Sequence, residues 1–160
     1  MRAIIDNGLE TLIYLISAFV LFFIGKLLYQ IIYNKIDIRN ELVEKDNLAF
    51  AVAHVGYFVG LLLAIGSAIV GPSNGLVADL IDLFFYGLMA IILLNLSVFI
   101  NDKLILRRFN VYEEIVRDQN VGTGVIEGAN AVATGLVLMG AITGEGSWFT
   151  AIAFWFGGQI

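Results

Sequence analysis

Apolar residues run along this chain in four stretches, separated by two charged connectors and one short polar turn. The stretches cover about 8–33, 47–70, 76–104 and 121–143. A bilayer core of roughly 30 Å takes about 20 residues of helix, so each stretch predicts a transmembrane span. The first and third exceed that length and have to tilt or project beyond the hydrocarbon. "GPSNG" at 71–75 supplies Gly-Pro and Asn-Gly pairs for a tight turn between the second and third. The connectors, 34–46 and 105–120, are charged. A last apolar stretch, "SWFTAIAFWFGGQI" (147–160), is too short to cross and has no polar face for lying along an interface. It reads as the start of a fifth span, cut inside the helix. The expected fold is all-α: a polytopic helix bundle of four spans with a fifth begun.

Composition agrees with this and narrows the chemistry. The 160 residues are 59% hydrophobic and 14% charged, with a mean hydropathy of +0.89, whereas soluble domains run near a quarter charged. The first apolar run has no small-x-small cleavage site before Lys26, so it reads as a retained span rather than a signal peptide. A net charge of −5 lacks the basic footprint that nucleic acid requires. With no cysteine and one histidine, disulfides, thiolate chemistry and multi-histidine zinc centres are excluded. "GTGVIEG" (122–128) mimics a nucleotide loop, but it lies inside a span with no strand before it. No catalytic residues, metal or cofactor are expected, and the chain is not read as an enzyme.

Lysine and arginine set the orientation. Lys26, Lys35, Arg39 and Lys45 fall on or beside the first connector, and Lys103, Arg107, Arg108 and Arg117 on the second. Only Arg2 falls on the other side. Both connectors are therefore expected in the cytoplasm and the N-terminus outside.

The chain also repeats itself. "ELVEKDNLAFAVAHVGYFVGLLLAIGSAIVG" (41–71) aligns without gaps on "EIVRDQNVGTGVIEGANAVATGLVLMGAITG" (114–144) at a constant offset of 73. Glu41 falls on Glu114, Asn47 on Asn120, and Gly71 on Gly144. Two two-helix units are expected, 5–71 and 78–144, with 147–160 as the possible start of a third. An even number of spans per unit makes the repeat parallel, related by an axis along the membrane normal. In this register His54 falls on Glu127 and Tyr57 on Asn130, so both units place an ionisable group at one depth.

The charged entry E-x-V-x-x-x-N, the small-residue helix after it and the second copy of both resemble the YjfL-like inner-membrane proteins, the family of domain of unknown function 350. The resemblance covers about residues 5–145. It implies a multipass bacterial inner-membrane protein with two or more such units, some relatives being grouped with phage-shock-like envelope-stress proteins. It implies no particular activity.

Two constellations stand out, each with a bland reading beside it. Ala53, Gly56 and Gly60 in the second span, and Gly124 and Gly128 in the fourth, lie on small-residue faces that let helix backbones approach in lipid. A pore-lining face is the alternative. Thr123, Glu127, Asn130 and Thr134 form a polar stripe on the fourth span. A carboxylate at that depth has to face protein or water. The stripe is either an ion or proton pathway with Glu127 as its titrating group, or an interhelical seam with His54 or Tyr57 as partner. Asn95 and Ser97 in the third span are expected to bond across helices. Asp6, Glu10, Asp79 and Asp82 sit in first turns, where they complement helix dipoles or form a cation-attracting vestibule. The leading functional expectation is a small oligomeric transport or ion- or proton-conducting component embedded in the lipid bilayer. The alternative is a non-transporting structural or envelope-stress subunit that docks a cytoplasmic protein partner through the two connectors.

Overall fold

Two asparagines decide where the second and fourth spans begin. Asn47 and Asn120 stand at extended backbone angles, and their side chains accept hydrogen bonds from the first free N–H groups of the helices that follow. Asparagine is among the best residues for that position. Each is preceded by one π-helical turn, Asn40–Glu44 or Glu113–Arg117, and by a residue at positive φ, Asp46 (48°) or Gln119 (49°). In both elbows the asparagine amide nitrogen Nδ2 donates to a glutamate Oε2 at 2.8 Å, Glu41 in the first and Glu114 in the second. The backbone N–H of each asparagine also reaches the carbonyl of that glutamate, at 2.9 and 2.8 Å. In the second elbow Arg117 donates to Asp118 at 2.8 Å, and that bond holds the Asp118 carboxyl below its ordinary range.

The computed structural model describes residues 2–70, 73–105, 110–143 and 147–159, and the side chains of all of these except 2–7, 104 and 105. Gly71 and Pro72 of the expected turn, Arg107, Arg108, Gly144, and the side chains of Arg2 and Asp6 therefore lie outside the described residues. The helices are α1 (Arg2–Ile32), α2 (Leu48–Ser67), α3 (Leu76–Ile100), α4 (Val121–Ile142) and α5 (Trp148–Gly157). Four segments are long and apolar enough to cross a bilayer: Gly8–Ile32, Leu48–Ser67, Leu76–Lys103 and Val121–Ile142. The protein is an all-α, multi-pass membrane protein with a short apolar fifth helix.

At the centre α2 and α4 run parallel, touching backbone to backbone. A Cβ added at Gly56 would stand 2.7 Å from the Gly128 carbonyl oxygen. One at Gly60 would stand 2.7 Å from the Ala131 carbonyl carbon, and one at Gly124 2.8 Å from that of Ala49. Real side chains do not fit at these distances, so glycine is required at each. Ala53 lies beside the same contact, near the Gly128 backbone. Helix α3 lies against α1, α2 and α4, and α1 packs on α2 and α3. Leu21, Leu61, Leu83 and Leu94 fill the space between these helices, none more than 1% exposed. Helix α5 starts in a reciprocal cap between Ser147 and Thr150. It returns along α3 and α4, where Trp155 Nε1 donates to the Leu93 carbonyl at 3.0 Å.

Two outcomes follow for stability in detergent. Gly56→Ala should cost about 1–3 kcal/mol through overpacking against backbone that cannot yield. Gly140→Ala, with nothing within 4 Å, should be neutral or gain up to about 1 kcal/mol from helix propensity. Equal effects in thermal unfolding would refute the close contact. Secondly, Asn47→Ala should cost more than Asn120→Ala, for which a lost cap is worth about 1 kcal/mol. Asn47 Nδ2 also donates to the Ile115 carbonyl at 2.8 Å, tying the two connectors together in a buried place. The same loss at both positions would count against that tie.

Candidate functional site

The connector end of the bundle holds a cavity of about 600 Å³. Its walls come from the end of α1 and the residues just after it (Tyr29, Tyr33, Lys35), from α2 (Phe50, Ala53, Tyr57), from α3 and the turn that follows it (Asn95, Asp102) and from α4 (Glu127). The volume falls within the range of small-ligand sites. Glu127 is the deepest charge it reaches, 7% exposed. Asn101, where α3 passes into its last π-helical turn, donates to Glu127 Oε1. Among the described residues the second carboxylate oxygen accepts no hydrogen bond.

Aromatic rings wall the cavity opposite the carboxylate. Tyr29 lies 4.6 Å from Tyr33 and 4.5 Å from Tyr57, centroid to centroid. The Tyr57 hydroxyl donates to Asn95 Oδ1 at 3.2 Å, and Asn95 Nδ2 donates to the Ile91 carbonyl at 2.7 Å. At the rim Asp102 pairs with Lys103 at 2.7 Å. Among the described residues no three of His, Asp and Glu gather as metal ligands would.

The residues singled out in the sequence are thus divided between places. His54 does not meet Glu127: its Nδ1 lies 3.1 Å from the Tyr29 hydroxyl, and it lines a different cavity on the far side of Tyr29. The reason is rotational. The glycines occupy the α2–α4 contact, which turns His54 toward α1 and Glu127 toward α3. The polar stripe of α4 divides as well. Thr134 shares a 2.7 Å hydrogen bond with Ser97, whose hydroxyl also reaches Gln159 Oε1 at 2.8 Å. Thr123 sits in the first turn, where its N–H donates to Asn120. Asn130 Nδ2 is buried with no partner among the described residues. At the other end Asp79 accepts from Tyr14, Ser73 and the Asn74 N–H, beside Glu10 and Asp82.

Sequence reasoning did not find Asn101, Tyr29 or Tyr33. Asn101 sits where the third apolar run gives way to charge, so it resembles a span end. The tyrosines resemble the aromatic anchors common at membrane interfaces.

The sequence profile of a family described as Domain of Unknown Function (DUF350) matches residues 3–142. The chain belongs to the DUF350 family. Among curated proteins, this DUF350 chain is 26% identical over 141 residues to a UPF0719 transmembrane protein of Aquifex aeolicus. The match covers 88% of the chain and 50% of the relative, so the chain spans about half the length of that protein. No solved structure matches.

Because the chain has no cysteine, access to the cavity can be read by single replacements. Ala53→Cys, in its wall, should react with a small charged thiol reagent applied from the connector side. Ala64→Cys, at a fully buried position, should not. An inert Ala53→Cys would mean that water does not enter.

Proposed function

We propose that this DUF350 protein is a small transport or ion-conducting component of the bacterial inner membrane, with Glu127 binding and releasing a proton or cation from the cytoplasm. The supporting observation is the cavity at the connector end, which leads to a buried carboxylate with one oxygen unoccupied. The Asn101 amide orients the carboxyl group and leaves its other oxygen for a proton or a cation. Between Glu127 and the turn end lie the Ser97–Thr134–Gln159 hydrogen bonds and the close α2–α4 contact. Transport would then need helices to shift, and α3 is the element whose polar residues Asn95, Ser97 and Asn101 bond all along that route.

The remaining parts of the reading rest on the sequence. The eight-to-one division of basic residues supports cytoplasmic connectors and an external N-terminus. The constant offset of 73 and the matching geometry of the two elbows support a parallel duplication of the units 5–71 and 78–144. We propose in addition that the protein works as a homo-oligomer or as a subunit of a larger membrane complex. A second reading, a docking subunit without transport, draws support from the same elbows: they are hydrogen-bonded and carry exposed charges such as Glu44, Lys45, Arg117 and Asp118.

Glu127→Gln separates the two. It keeps the shape and the bond from Asn101 but removes the charge. In proteoliposomes the variant should lose proton or cation flux by about tenfold or more while eluting like the wild type on size exclusion. Flux unchanged in the variant would remove Glu127 from the mechanism, and no wild-type flux for protons or any tested cation would favour the docking subunit.

A further inference from the structure

A second cavity, of about 510 Å³, lies at the connector end. It lies on the far side of Tyr29, between α1, α2 and the first connector, and includes Lys26, Gln30, Arg39 and His54 in its wall. Among the described residues no carboxylate lines it. Lys26 and Arg39 are exposed and, among the described residues, neither has an ion pair or a hydrogen bond. Lys26 lies only near the Phe23 ring, at 6.0 Å. When the Tyr29 hydroxyl donates to His54 Nδ1, the imidazole proton stays on Nε2, which has no partner among the described residues. Two unpaired cations and one free N–H donor thus surround one recess.

The wall is also graded along the membrane normal. Helix α1 runs toward the connectors and α2 away from them, so Lys26 and His54 lie nearer the connectors than Phe22 and Phe58, each by four residues of its own helix. Four residues of helix rise about 6 Å. Phe22 and Phe58 lie tilted against each other in the deeper part, with centroids 5.5 Å apart. A recess that is basic at its rim and aromatic below matches a phospholipid, with an anionic head at the interface and acyl chains beneath. Lys26 lies six residues before the end of α1, a depth from which a lysine reaches the headgroup level by extending its stem.

We propose that this recess is a binding site for an anionic phospholipid of the surrounding leaflet, its phosphate held by Lys26, Arg39 and His54 Nε2. Basic pockets between spans are an established way of holding such heads. A free phosphate would use the same three groups but would leave the apolar lower half empty, so the lipid is the occupant the geometry favours. The site is independent of any transport through the Glu127 cavity.

The test is a titration of the purified protein in neutral detergent. The probes are dioleoylphosphatidylglycerol, dioleoylphosphatidylcholine and inorganic phosphate, and the readouts are native mass spectrometry and thermal unfolding. Phosphatidylglycerol should bind in preference to phosphatidylcholine and raise the unfolding temperature, and phosphate at equal concentration should do neither. Lys26→Gln and Arg39→Gln should each lower the preference about fivefold. Arg117→Gln removes the same charge from an exposed elbow outside both cavities and should leave the preference intact. Equal binding of the two lipids, the same protection from phosphate alone, or equal losses in all three variants would each overturn the assignment.

Discussion

The parallel contact between α2 and α4 is the constraint on which the rest of the structure depends. In lipid the hydrophobic effect does not drive one helix against another, so association relies on close packing and polar contacts. Gly56, Gly60 and Gly124 allow the two backbones to touch where any Cβ would intrude. That contact fixes the rotation of both helices about their axes. With the glycine faces turned inward, every larger or polar side chain on α2 and α4 is displaced to a flank. His54 falls on the flank facing α1 and Glu127 on the flank facing α3.

Helix α3 then becomes the polar partner of the bundle. A buried polar group in a membrane span has no water to fall back on, so its partner has to be another span. Helix α3 supplies Asn95 to Tyr57, Ser97 to Thr134 and Gln159, Asn101 to Glu127, and the Leu93 carbonyl to Trp155. These bonds reach α2, α4 and the segment around α5 from one helix. The cavity at the connector end opens where α3 loosens into its π-helical turn at Asn101–Ile105. The cavity and the buried carboxylate therefore meet at the same turn.

What the sequence revealed, and what it did not, divides along the same physical line. The spans were legible because a bilayer of fixed thickness imposes a length and a composition that survive any tertiary arrangement. Asn47 and Asn120 stood out through the repeat and the E-x-V-x-x-x-N entry, and the cap that each makes is local, satisfied within three residues. The small-residue stripes were visible as patterns, although their mutual contact was not. The partners of the buried polar groups were hidden. Asn101 reaches Glu127 across 26 positions, and Tyr29 reaches His54 across 25, and neither spacing carries a periodic signal. An equal position in two repeats suggests equal depth, but it says nothing of azimuth, and azimuth decides that His54 and Glu127 face different cavities.

Tyr29 gives that separation its chemical meaning. A carboxylate and an imidazole at one depth would, if they met, form a pair that satisfies itself and leaves little for any ligand. Breaking such a pair is costly in a low-dielectric interior, and a closed pair resists exchange. Here the Tyr29 ring stands in the wall of both cavities and takes the histidine nitrogen for itself. Glu127 is left with the neutral Asn101 amide, which orients the carboxylate without neutralising it. Among the described residues two lysines line its cavity, Lys103, which Asp102 engages, and Lys35, while Lys26 and Arg39 lie beyond the ring in the other recess. The lone histidine in the apolar run is thus part of a partition: its bond to Tyr29 lies between the recess of Glu127 and the recess of Lys26 and Arg39.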